Sequence, residues 1–99
     1  PCRLQESEAE QLYQKLRNFG FQSLTVLLED KITTAQAKSW IQTYKLTFPV
    51  LIDPEHTATR LYSINAVPKN FIINRQFCII EIITDYDRNK IESAISKYL

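Results

Sequence analysis

The run Leu24-Thr25-Val26-Leu27-Leu28 constrains the fold more than any other stretch of this chain. It is short, nearly continuous in apolar residues, and lies between two segments with helical periodicity. Such a run suits a strand covered on both faces, as in a parallel sheet. In the segment before it, Arg3 to Phe19, residues Leu4, Leu12, Leu16 and Phe19 fall near one helical stripe, with Tyr13 on its edge. Glu6, Glu8 and Glu10 crowd the early turns, and Lys15 and Arg17 the last, as the helix dipole prefers. Gly20 follows as a stop. Beyond the run, Thr33 or Thr34 can cap a second helix reaching about Tyr44, with Ala37, Trp40, Ile41 and Tyr44 turned inward.

The rest of the chain keeps alternating. Pro49 to Ile52 reads as a short extended piece. Asp53-Pro54 then starts a short helix, Asp as cap and Pro at the first position, running to about Tyr62 and burying Ala58, Leu61 and Tyr62. Asn65-Ala66-Val67-Pro68 is a loop. Asn70 to Asn74 and Phe77 to Ile83 are strands separated by Arg75-Gln76, a spacing that makes an antiparallel hairpin. Asp85 or Asp87 caps a last helix with Ile91, Ala94, Ile95 and Tyr98 on one face. A strand–helix–strand link is parallel and right-handed, whereas the hairpin reverses direction. The expectation is one α/β domain over residues 1–99: a mixed sheet flanked by helices.

Composition removes several functions. Twelve Lys and Arg nearly balance eleven Asp and Glu, and no basic run interleaves with aromatics, so nucleic acid is not an expected partner. A single Gly, with four Pro, argues against a turn-rich all-β domain and against a glycine-rich phosphate loop. No apolar run reaches membrane-spanning length and no signal peptide is present. The chain begins at Pro1 without an initiating Met, so its natural start is expected upstream, within a longer secreted precursor. Cys2 and Cys78 do not make a disulfide scaffold. With one His, no CxxC and no HxxxH, no metal site is expected.

Several ordered pieces carry a resemblance. Pro1-Cys2-Arg3, Phe48-Pro49-Val50-Leu51-Ile52-Asp53, Tyr62, Val67-Pro68 and Phe71-Ile72-Ile73-Asn74 follow one another with matching spacings. Together they resemble the thioredoxin superfamily, and within it the TlpA/ResA-type thiol–disulfide oxidoreductases. That branch carries Trp-Cys-x-Pro-Cys-Arg/Lys at the start of a long helix, of which Pro1-Cys2-Arg3 matches the end. The motif's first cysteine would lie two residues before Pro1. Gln5 and Ser7 stand where the family often has Glu and Pro; Phe77 and Thr84-Asp85 replace glycines.

The resemblance implies a thioredoxin-like fold in which the strand preceding the motif helix occupies the middle of the sheet. Here that strand is absent, so the domain is expected to be N-terminally incomplete. Cys2 would be the second, resolving cysteine. A thiol at a helix N-terminus is stabilised as thiolate by the dipole and by free backbone N–H groups, which lowers its pKa from about 8.5. Pro68 would be a cis-proline beside the cysteines, with Val67 offering backbone groups to an extended substrate; Pro1 joins them as substrate-binding. Asp30, after the first strand, would be a buried acid that exchanges protons with the cysteine pair. Cys78 reads as a small core residue, remote from Cys2 and unbridged to it. His56 reads as exposed, and Trp40 and the tyrosines as packing.

The function implied is thiol–disulfide exchange outside the cytoplasm, periplasmic or membrane-anchored facing outward. Protein disulfides would be the substrates, apocytochrome c in cytochrome c maturation among them. A membrane thiol donor would supply electrons, without a cofactor. The alternative is a redox-inactive thioredoxin-fold module binding extended peptides. A peroxiredoxin would need Thr-x-x-Cys, which Pro1-Cys2-Arg3 does not supply.

Overall fold

A computed structural model describes residues 2–84 and 87–99, at residues 2 and 3 through the backbone alone. Helix α1 (Cys2–Leu16) tightens into a 3-10 turn (Arg17–Phe19) and stops at Gly20, whose φ of 92° lies in the left-handed region. A Cβ at Gly20 would stand 2.8 Å from Arg75 Nη2, so the guanidinium would have to shift to admit it. Strand β1 (Thr25–Leu27) follows, then α2 (Thr34–Tyr44) and β2 (Val50–Ile52). Thr33 caps α2 in a reciprocal capping box with Gln36. The short helix α3 (Thr57–Leu61) leads into the β3 (Asn70–Ile73) and β4 (Ile79–Ile83) hairpin. The last helix is α4 (Arg88–Lys97), where Asp87 accepts from the Lys90 N–H at 3.1 Å; Asp85, the other candidate cap, lies outside the described residues.

The strands form two separate pairs. β1 and β2 run parallel, Val26 opposite Leu51, as the βαβ rule requires. β3 and β4 run antiparallel, with a bulge at Ile72 and Ile73. Among the described residues no strand joins β1 to β3. What connects the pairs is α1. Its second half buries Leu12 and Leu16 against Ile83 of β4 and Ile91, Ala94 and Ile95 of α4. Each of the leucines and isoleucines among them contributes roughly 1.5–3 kcal/mol when fully buried. Toward β2, Tyr13 packs edge-on to Phe48, ring centroids 5.8 Å apart.

Several expectations require correction. Leu4 and Phe19 are exposed, because the core under α1 reaches only its second half and the chain leaves that core in the 3-10 turn. The short helix starts at Thr57 rather than Pro54: Pro54 and Glu55 form a turn, and His56 at φ 59° precedes the helix. Asp53 is buried and still serves that helix, accepting from the Thr59 N–H at 3.0 Å across the turn. Leu61 and Tyr62 are exposed rather than buried. Cys78 is exposed, because the hairpin turn spans Asn74 to Cys78 and strand pairing resumes only at Ile79.

Candidate functional site

The N-terminal part of α1 meets the start of β3. Cys2 opens α1, so it occupies the end where backbone N–H groups lack intrahelical acceptors. One turn on, Gln5 pairs reciprocally with Asn70, the first residue of β3. Gln5 Nε2 donates to Asn70 Oδ1 at 2.9 Å, and Asn70 Nδ2 donates to Gln5 Oε1 at 3.1 Å. That pair of bonds ties the first turns of α1, which Cys2 opens, to the start of β3; Pro68 lies two residues before Asn70 in the chain. The Val67–Pro68 peptide is cis. Val67 is 60% exposed and Pro68 half-buried. Tyr62 packs its ring on Phe71 at 5.1 Å, and Lys69 Nζ lies 5.7 Å from the same ring, holding the two sides of the loop.

The side of α1 facing β1 carries a buried carboxylate. Glu6 is only 4% exposed. It accepts from Trp40 Nε1 at 2.8 Å and from the Thr25 hydroxyl at 3.0 Å, so both its oxygens are used. One further turn along, Glu10 accepts from the Thr47 N–H and hydroxyl, each at 2.7 Å, and from Gln14 at 2.7 Å. Partial burial pushes the Glu10 carboxyl up, but these bonds and the Arg17 charge outweigh it and hold the carboxyl below its ordinary value. Gln5, Glu6 and Glu10 thus clamp α1 across both strand pairs.

The sequence-derived site residues are only partly assembled. Cys2 opens the helix whose first turns bond to Asn70, and Val67 and Pro68 precede Asn70 in the chain; Pro1 lies outside the described residues. Asp30 does not have the burial expected of it. Its side chain is 73% exposed in the turn after β1 and pairs with His56 Nε2 at 3.2 Å. β1 is short, so Asp30 has already left the sheet for solvent. The acid that is buried near the start of α1 is Glu6, bonded to Thr25 of β1 and Trp40 of α2. Its signal was its position two turns before Tyr13, on that residue's side of the helix. Gln5 and Asn70 gave no signal, since paired amides far apart in sequence are legible only once the elements are docked. Among the described residues no group of His, Cys, Asp and Glu could hold a metal ion, and no helix is long and apolar enough to cross a membrane.

Residues 1–82 match the model of the AhpC/TSA family. The chain belongs to that family. It is similar to the thiol–disulfide oxidoreductase ResA of a Bacillus cereus strain, 26% identical over 98 residues covering 98% of this chain and 56% of that protein. The ResA of Bacillus anthracis matches with the same identity and coverage. The chain therefore spans about half the length of the curated relatives it matches. Its structure superposes with a TM-score of 0.89 on the crystal structure of a Chlorobium tepidum protein named as thiol:disulfide interchange protein DsbE, at 25% identity, covering 99% of this chain and 70% of that one. This AhpC/TSA member has a thioredoxin-like fold, and the proteins it is similar to are named as thiol–disulfide oxidoreductase or interchange proteins.

Proposed function

We propose that the chain reduces protein disulfides, with Cys2 as the resolving thiol. The observation that supports this reading is the reciprocal Gln5–Asn70 hydrogen bonding, which ties the helix that Cys2 opens to the strand that follows the exposed Val67–Pro68 loop. A first cysteine, two positions before Pro1, attacks a substrate disulfide as thiolate. A mixed disulfide forms and one substrate thiolate leaves. Cys2 as thiolate then attacks the first cysteine's sulfur, and the second substrate thiol leaves. Substrate gains two electrons, and the two cysteines end as a disulfide that a membrane thiol donor reduces again. Val67 backbone groups receive the extended substrate, and Pro1 is a further substrate-binding residue by the motif it belongs to. The free edges of β1 and β3 can accept a strand from the segment upstream. The setting proposed is extracytoplasmic, with apocytochrome c among the protein substrates and cytochrome c maturation as the process served.

The test is turnover of an insulin-type disulfide substrate by the chain extended upstream through the first cysteine. Cys2→Ser is expected to stop after one trapped, reductant-releasable adduct per molecule. Cys78→Ser, in the distant hairpin turn, should leave turnover nearly intact. Equal turnover after Cys2→Ser would show that Cys2 is not the resolving thiol. A residue other than cysteine two positions before Pro1, with peptide binding but no adduct, would favour the redox-inactive binding module.

A further inference from the structure

The end of the molecule opposite the candidate site carries an aromatic pair that the fold does not use. Phe77 sits at φ 62°, a left-handed conformation that side chains resist and glycine adopts freely. It is 90% exposed, so its ring gains nothing from burial in return. Phe19, 64% exposed, belongs to the neighbouring 3-10 turn. Arg75 ties the two segments together, donating from Nη2 to the Phe19 carbonyl at 3.3 Å. The tip formed by residues 17–20 and 74–78 thus holds two exposed phenylalanines and two exposed arginines, Arg17 and Arg75, and no acidic residue. Neither arginine is in an ion pair among the described residues; Arg17 feels the Glu10 charge from two turns back.

We propose that this tip docks on an anionic membrane surface, with Phe77 and Phe19 entering the interface and Arg75 and Arg17 meeting lipid headgroups. Two observations choose this occupant. The first is size: a stable protein interface buries about 800 Å² per partner, and two phenylalanine rings on a narrow turn offer well under that, whereas shallow insertion into lipid needs no matching surface. The second is charge: a second copy docked tip to tip would set the arginines against one another, while anionic lipid attracts them. The geometry is also productive. The helix α1 spans the distance between tip and site, about 22 Å at 1.5 Å per residue. A chain docked by its tip therefore holds Cys2 and the Val67–Pro68 loop away from the membrane, open to substrates in solution.

The test is co-sedimentation with vesicles of phosphatidylcholine containing about a third phosphatidylglycerol, compared with phosphatidylcholine alone. Binding is expected to anionic vesicles only, to weaken as salt screens the arginines, and to fall about fivefold or more in Phe77→Gly and in Arg75→Gln. Phe77→Gly relieves the left-handed residue, so its thermal midpoint should equal or exceed that of the parent. Lost binding therefore cannot be ascribed to unfolding. Failure to bind anionic vesicles overturns the proposal and would be the outcome if the tip served an acidic protein instead. Equal binding to both vesicle types, or undiminished binding by Phe77→Gly, also overturns it.

Discussion

Glu6 shows how much one residue can hold in this chain. A carboxylate that is 4% exposed needs its oxygens met, and here the Trp40 indole and the Thr25 hydroxyl meet them from two different elements. Removing Glu6 strands both donors. Glu6→Ala should therefore cost about 1–3 kcal/mol, read as a lowered urea midpoint. The double mutant with Trp40→Phe should cost less than the sum of the two single changes, because the second substitution removes the orphaned donor. Strict additivity would mean the Glu6–Trp40 bond contributes nothing, and no loss in Glu6→Ala would mean neither bond does. The stripe of leucines was readable in advance, but its buried half was not. Leu12 and Leu16 are covered only because α4 and β4 return beneath them, while Leu4 and Phe19 on nearly the same stripe find no cover. Asp30 failed as a buried acid for a similar reason: residue count placed it near the sheet, and the early end of β1 released it to solvent.

The elements followed the sequence where local chemistry decided them and departed where tertiary contacts did. Gly20, Thr33 and Asp87 end or start helices by the capping rules, as their neighbours in sequence suggested. Asp53-Pro54 looked like a helix start, yet the helix waits until Thr57 while Asp53 reaches forward to its N–H groups. Burial raises the Asp53 carboxyl, but backbone bonds from Thr59, Ala58 and Thr57 and the Thr59 hydroxyl outweigh it, leaving the carboxyl below its ordinary value. A folded-state pKa below the unfolded one stabilises the fold above the unfolded value, about 3.9 for Asp. The contribution shrinks as pH falls below that point and is gone once pH passes the folded value. Asp53→Asn should thus lower the thermal midpoint at neutral pH, with the gap to the parent closing below about pH 4. A gap that stays constant down to about pH 3 would rule this linkage out.

At the scale of the molecule, α/β layering and the parallel and antiparallel pairings were legible from apolar runs and the Arg75-Gln76 spacing. The amide clamp between Gln5 and Asn70 was not, since it depends on docking α1 across two strand pairs that share no hydrogen bonds. That separation has a measurable consequence at β1. Thr25 N–H donates to the Pro49 carbonyl and the Asp53 N–H donates to the Leu27 carbonyl, so Thr25 and Leu27 face β2. In a parallel strand successive residues direct their amides to opposite edges, which aims the Val26 N–H and C=O at the edge away from β2. Hydrogen exchange should therefore be markedly faster at Val26 than at Leu27, although both are half-buried in the same three-residue strand. An unpaired edge of this kind is also a template for another strand. Extending the chain upstream should slow exchange at Val26 while leaving Leu27 little changed, if the added segment pairs between β1 and β3. Protection of Val26 in the 99-residue chain equal to that of Leu27 would show the edge already closed, and the two strand pairs would then not be independent.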